Sequence, residues 1–353
     1  MKILFIDISL KGHREKYINS LVSSNPGCIA LLPKKVDTVF CKQHVMKSGF
    51  DNKRTLITYL SFISEINKIV KSDAVDIIHF LNGDSFYRYF GVGLKYLSKP
   101  VVITYHHMQF GLLRNITLKF LFKKAFCGIV HTNHLENRLK SMGINNVYHI
   151  EYPVFSEETS LTNLEAKTNI GLPIDKKCII ILGMTSYYKG TDILIEALKK
   201  VEEPFFLYIT RAGGKFNKDY VLNNTKEYAD SIKCEEKVLT EKEYVNALVA
   251  ADLLVLPYRY EFDGASGPMI EGIWNRKYIV GAEHGSMGEL ITRYNLGKTF
   301  KTENSDDLAR VLNEVLKDKN TWSNEAENFR SELTVEKFIE KNSKIYRATL
   351  RKV

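Results

Sequence analysis

Short β-branched runs alternate with amphipathic segments twice over along this chain, and a polar stretch divides the two series. In the first series the runs fall at residues 2–8, 28–33, 76–80, 101–105, 128–132 and 147–151. Parallel strands require a crossover of a dozen or more residues between them, and a helix is the usual way to make it. The stretch from 128 to 143 shows the unit most clearly. A strand is followed by Asn133 with Glu136 three residues on, which reads as a capping box, by Leu135, Leu139 and Met142 on one face, and by Gly143 as a stop. Residues 154–176 are polar and read as a linker. The second series places strands at 178–182, 205–210, 237–239, 253–256 and 278–281, with helices at 192–201, 241–250, 268–275, 306–317 and 335–347.

A chain of 353 residues is too long for one ordinary hydrophobic core. The pattern predicts an α/β fold of two Rossmann-like domains, residues 1–155 and 156–335, with a C-terminal helix at 336–353 packing back toward the first. Two such domains would set their parallel sheets across a cleft, and ligands in open α/β sheets bind beyond the carboxyl ends of the strands. No apolar stretch approaches the length of a membrane span. Residues 1–8 read as a first strand and not as a signal peptide, so a cytoplasmic location is expected. The cysteines Cys28, Cys41, Cys127, Cys178 and Cys234 are scattered and form no C-x-x-C pair, which speaks against a disulfide framework or a zinc site. Of the formal charge of +9, residues 1–125 carry +11, from 19 Lys and Arg against 8 Asp and Glu.

The segment Glu261-Phe-Asp-Gly-Ala-Ser-Gly-Pro-Met-Ile-Glu271-Gly follows the apolar run 253–258 and joins a strand end to a helix start. Gly264 and Gly267 let the backbone approach a ligand, Ser266 can cap, and Pro268 suits the first helical position, so the amides there make an anion site suited to phosphate. Asp263 and Glu271 flank it as acceptors for hydroxyl groups of a sugar and a ribose. A nucleotide sugar presents both. The segment Gly183-Met-Thr-Ser-Tyr-Tyr-Lys189-Gly190 leaves the first strand of the second domain, and Lys189, in a turn bounded by glycines, can neutralise a phosphate where charge builds on a leaving group.

Asp263-x7-Glu271 with Ala265-Ser266-Gly267 between, the preceding Asp252-Leu-Leu-Val-Leu-Pro257 and the following Gly285-Ser-Met-Gly-Glu289 resemble the signature of retaining GT-B glycosyltransferases of glycosyltransferase family 4. The resemblance implies that Glu271 holds the nucleotide ribose. Asp263 and the loop Ala265, Ser266, Gly267, Pro268 and Met269 would meet the donor sugar and its diphosphate. It extends to Gly183 and Lys189, which would lie on the diphosphate. The chain departs from the family at Asp263, where Glu is usual, and at Met184, where an Arg is usual. Arg211, at the carboxyl end of the next strand, is the expected stand-in for that cation.

In the first domain, residues 101–107 form a strand ending in His106 and His107. Imidazole can donate to a sugar hydroxyl or move a proton near neutral pH. By the resemblance, His106 falls on a family histidine that touches the donor sugar. Gly12, in the turn after the first strand, falls on a glycine-rich turn that lies against the diphosphate, with His13 and Arg14 beside it. Residues 112–126 place Leu112, Leu113, Ile116 and Phe120 on one helical face and add Arg114, Lys119, Lys123 and Lys124. Such a helix is either a crossover buried in the fold or a contact with an anionic membrane.

The resemblance implies a retaining, metal-independent glycosyltransferase without a cofactor. It would move a hexosyl-type unit from a nucleotide diphosphate sugar to an acceptor hydroxyl on a glycan or lipid-linked molecule, in bacterial surface polysaccharide or glycolipid synthesis. His106, Asp263 and Lys189 are the expected catalytic residues. The chain has no D-x-D pair, no H-E-x-x-H, no G-x-S-x-G and no P-loop sequence, and no aromatic-basic motif for nucleic acid. Two alternatives stay open at this stage, a catalytically weak GT-B-like scaffold and a nucleotide-sugar epimerase.

Overall fold

The computed structural model describes every residue except 11–13, 90, 107, 263, 265 and 352–353. The chain forms two units, one of Met1–Phe155 with Thr334–Val353 and one of Ser156–Leu333.

The first unit runs β1 (Ile3–Ile6), α1 (Arg14–Ser23), β2 (Ile29–Leu32), β3 (Lys42–Val45), α2 (Leu56–Ser72), β4 (Ile77–Phe80), β5 (Val101–Thr104), α3 (Leu112–Lys124), β6 (Cys127–Val130), α4 (Asn133–Ser141) and β7 (Val147–His149). Its strands are all parallel in the order β3-β2-β1-β4-β5-β6-β7. The central strands are continuous apolar runs because both faces of the sheet are covered. Along β1 the period of two decides which core each residue joins. Leu4 and Ile6 pack with α2, α3 and α4, while Ile3 and Phe5 pack with α1.

The second unit runs α5 (Asn163–Asn169), β8 (Lys177–Met184), α6 (Thr191–Leu198), β9 (Phe205–Arg211), α7 (Lys218–Asn224), β10 (Ile232–Cys234), α8 (Glu241–Ala250), β11 (Leu253–Leu256), α9 (Gly267–Trp274), β12 (Tyr278–Ala282), α10 (Gly285–Arg293), β13 (Gly297–Phe300), α11 (Ser305–Lys317) and α12 (Asn324–Ser331). The parallel order is β10-β9-β8-β11-β12-β13. In both sheets the strand order reverses once, at β1/β4 and at β8/β11, and the loops leaving the two strands at such a point diverge and leave a crevice. The last helix, α13 (Val335–Arg351), belongs to the first unit, where Phe338, Ile345 and Tyr346 join the core beside α1. Its Tyr346 hydroxyl meets His79 Nδ1 at 2.8 Å, and Lys341 pairs with Glu151.

Several elements differ from the expectation. Residues 237–239 are not a strand, because it is Ile232–Cys234 that pairs with β9, from Ile232 against Leu207 to Cys234 against Ile209. Lys237 instead pairs with Glu243 at the start of α8. The polar stretch 154–176 contains α5, which begins at a capping box between Thr162 and Glu165. Thr132, not Asn133, caps α4, its hydroxyl accepting from the Leu135 amide. Pattern reading passed over β3 because, as an edge strand, it is largely polar and partly exposed. α3 is a crossover helix buried through Thr117, Leu118, Leu121 and Phe122, and the Leu112, Leu113, Ile116 and Phe120 stripe faces solvent.

Candidate functional site

The two motif segments of the second unit are the loops that leave β8 and β11, neighbouring strands at the point of reversal. The fold therefore brings together residues about 80 positions apart in sequence.

The two glycines of the first loop have separate jobs. Gly190 has φ +61, and a Cβ there would lie 1.9 Å from the Pro257 carbonyl oxygen, so its bare backbone lets the loops close on each other. Gly183 has φ +82, and its missing side chain makes room for Lys189, whose Nζ lies 3.1 Å from where a Cβ would stand. That ammonium meets the Leu182 carbonyl at 3.5 Å and lies 5.8 Å from the Tyr258 ring centroid. Loss of hydration, with a smaller push from the Arg211 charge, lowers its pKa to about 8. A cation held this far out of water with one long hydrogen bond is a place prepared for an anion.

Arg211 ends β9 directly beside Met184, its register partner on β8, after the irregularity between Ile181 and Met184. Paired residues of neighbouring parallel strands project to the same face, so the guanidinium stands on the side where Met184 is half exposed.

In the second loop Ser266 caps α9, its Oγ accepting from the Met269 amide at 3.3 Å and lying 3.2 Å from the Tyr258 hydroxyl. This narrows the expected anion site. The Met269 amide is taken by the cap and Pro268 has none, so Ser266 and Gly267 supply the amides left at this helix start. Glu271 is buried one turn further on, where Ser156 Oγ donates to its Oε2 at 2.8 Å. Asp263 and Ala265 lie outside the described residues.

Arg259 is a component that sequence reading missed. Its amide donates to the Tyr188 carbonyl at 2.9 Å and its Nη1 to the Tyr187 carbonyl at 2.6 Å. The guanidinium also spans Asp192 at 3.1 and 2.7 Å and covers the Tyr187 ring at 4.1 Å. One buried side chain thus ties the second loop to the turn that carries Lys189. His284 braces the other side, with Nε2 donating to the Phe262 carbonyl at 3.2 Å and Nδ1 accepting from Thr302 at 2.9 Å. The signal for Arg259 was a charge two residues after a buried strand and proline, where a solvated side chain and a latch look alike.

In the first unit, His106 is buried after β5. Its Nε2 donates to the Leu81 carbonyl at 2.9 Å, and its amide donates to Asp84 Oδ2 at 3.0 Å. It packs against Tyr17 and His131, and His131 Nδ1 donates to the Ile150 carbonyl at 2.8 Å. Asp7, at the carboxyl end of β1, is the acid here that sequence reading passed over. Burial raises its pKa, against the pull of Arg14 at 3.2 Å. Gly12, His13 and His107 lie outside the described residues. Among the described residues no group of three His, Cys, Asp or Glu side chains is placed to hold a metal ion, and no helix is long and apolar enough to cross a membrane.

Residues 163–332 match the family described as Glycosyl transferases group 1. A curated relative, an uncharacterized glycosyltransferase of Methanocaldococcus jannaschii, is 24% identical over 204 residues, which is 58% of this chain and 50% of the relative. The chain thus spans about half the length of that relative. A glycosyltransferase from Rickettsia africae superposes with a TM-score of 0.78 at 17% identity, covering 100% of this chain and 99% of that one. HepE of Anabaena in complex with UDP gives 0.78 at 14% identity, with 99% and 100% covered. Sucrose-phosphate synthase from Thermosynechococcus elongatus gives 0.75 at 15%, with 100% of both chains covered. The fold is the two-domain GT-B architecture.

Proposed function

We propose that this chain is a glycosyltransferase that takes a nucleotide diphosphate sugar as donor and passes the sugar to an acceptor hydroxyl with retention of configuration. The observation that carries the reading is the under-coordinated Lys189 ammonium on the turn that Arg259 ties to the loop before α9. Solved complexes of HepE, of the same fold, hold UDP and UDP-glucose. In this chain Lys189, Arg211 and the amides of Ser266 and Gly267 would carry the charge of the departing diphosphate, a preorganised electrostatic role that needs no divalent ion. Glu271, aligned by Ser156, would accept from the ribose hydroxyls. Asp263 and His106 would attend the sugar, and Gly12 the diphosphate.

A thermal-shift screen across nucleoside diphosphates and their sugars tests the donor, since a ligand of the native state raises the melting temperature by mass action. One base should stand out, and its sugar should be released or transferred. A stabilising ligand with no turnover would favour a scaffold, and an isomerised sugar without acceptor would favour an epimerase.

The acceptor is proposed to be a glycan or lipid-linked molecule at an anionic membrane, contacted from the cytoplasmic side through residues 112–126. Supporting this, Leu112 and Leu113 are 82% and 71% exposed on α3, with Arg114, Lys119 and Lys123 exposed among them. Between Asp84 and Glu136 the sequence has no acidic residue. Flotation with phosphatidylglycerol vesicles should exceed flotation with phosphatidylcholine, and equal recovery would exclude the contact.

A further inference from the structure

At the amino ends of β1, β2 and β3 a cavity of about 350 Å³ lies between Lys2, Cys28, Phe40, Cys41 and Lys42. This is the end of the sheet opposite to His106 and Asp7. None of the chemistry above uses it. β2 and β3 are paired from Ile29 against Lys42, so Cys28 and Cys41 are the residues immediately before the first pair. Neighbouring parallel strands lie about 4.8 Å apart, inside the Cα separation of about 4.4–6.8 Å that a disulfide spans. The two thiols are near enough to shift each other's titration, while Cys28 Sγ lies 3.8 Å from the Val22 carbonyl and Cys41 Sγ 3.5 Å from the Lys42 carbonyl.

We propose that Cys28 and Cys41 form a reversible disulfide when a hydroperoxide reaches the cavity they both line. One thiolate attacks the peroxide, the O–O bond breaks, and a sulfenic acid forms as water or an alcohol departs. The second thiol then attacks that sulfur, the S–S bond forms, and water leaves. Two thiols and one hydroperoxide thus give one disulfide, one water and one alcohol or second water.

The surroundings suit that sequence. The neighbouring Cys41 thiol holds Cys28 below the usual thiol range, while Cys28 pushes Cys41 up. Lys2, Lys42 and Asp73 line the same cavity, where Lys2 donates to the Asp73 carbonyl at 2.8 Å and Lys42 pairs with the Asp73 carboxylate. Cys28 is buried and Cys41 is part-exposed, so the pair has one accessible member and one shielded member. The other three cysteines, Cys127 on β6, Cys178 on β8 and Cys234 on β10, are buried. The bond would tie the edge strand β3 to β2 across the loop between them.

The test uses the full-length folded protein, reduced and then exposed to stoichiometric hydrogen peroxide, quenched, unfolded and alkylated with N-ethylmaleimide. Reduced protein should take up five labels, from its five cysteines, and oxidised protein three. A non-reducing peptide map should show Cys28 linked to Cys41 within one chain, and dithiothreitol should restore five labels. Cys41→Ser should yield no intramolecular disulfide. Peroxide treatment of the unfolded wild-type chain should give mixed pairings, showing that the fold selects the pair. Five labels after oxidation of the folded protein, a link involving Cys127, Cys178 or Cys234, or links only between molecules would each overturn the proposal, and the wild-type map decides this even if a variant folds poorly.

Discussion

Raising the pH from 7 to 9 is expected to weaken binding of the preferred nucleoside diphosphate about tenfold, through Lys189 alone. In the ligand-free protein the ammonium has a pKa of about 8, lowered first by loss of hydration and then by Arg211. The charged fraction is then about 0.91 at pH 7 and about 0.09 at pH 9, and apparent affinity scales with the competent fraction, a difference of about 1.4 kcal/mol. The terminal phosphate of the ligand titrates near pH 6, below this window, so it does not contribute. The sign of the stability change is opposite. Because the folded pKa lies below that of the unfolded chain, the unfolded state binds more protons between about pH 8 and 10.5, and the free protein gains stability as pH rises through that range. Isothermal titration in two buffers of different ionisation enthalpy should also show fractional proton uptake on binding near pH 8. Lys189→Met should bind weakly and lose the slope. Affinity that stays level from pH 7 to 9, or a Lys189→Met protein with the wild-type slope, would refute the electrostatic account of the loop.

Arg211→Ala should reduce donor affinity about tenfold, the scale of one hydrogen bond to a charged group, and should move the midpoint of the Lys189 pH profile upward because a repelling charge is gone. Intact affinity and an unmoved midpoint would show that Arg211 does not stand in for the absent cation at Met184. Gly190→Ala combines a left-handed φ of +61 with a Cβ 1.9 Å from the Pro257 oxygen, so a loss of about 2 kcal/mol or more is expected in urea unfolding, together with loss of donor binding. In the first unit, burial holds His79 neutral with a pKa of about 3, so the unfolded chain takes up the extra proton below about pH 6.5. Stability should fall by about 2–3 kcal/mol between pH 6.5 and 4.5 from this residue, and His79→Gln should flatten that part of the curve.

The architecture was written in the sequence wherever a periodic signal had no competitor. β1, β4, β5, β6, β8 and β11 are apolar runs bounded by turn residues, and a fully covered parallel strand is the simplest structure that buries such a run. The edge elements were not legible. β3 and β13 are largely polar or part-exposed, and α5 depends on a capping box inside a hydrophilic stretch. The solvent-facing stripe of α3 shows the same limit, since periodicity reveals that a face is apolar but not which face the fold covers.

The order of residues along the chain determined which groups could meet an anion: a lysine between glycines, a capped helix start after a buried strand, and an acid one turn within it. What only the tertiary structure decided is that Lys189 lies out of water, that Arg259 ties its turn to the loop before α9, and that the Ser266 cap takes the Met269 amide. These follow from strand order and loop closure, which set distances between residues far apart in sequence. Local propensity cannot encode them, because hydration, charge and hydrogen bonding at one residue depend on neighbours that the chain supplies from elsewhere.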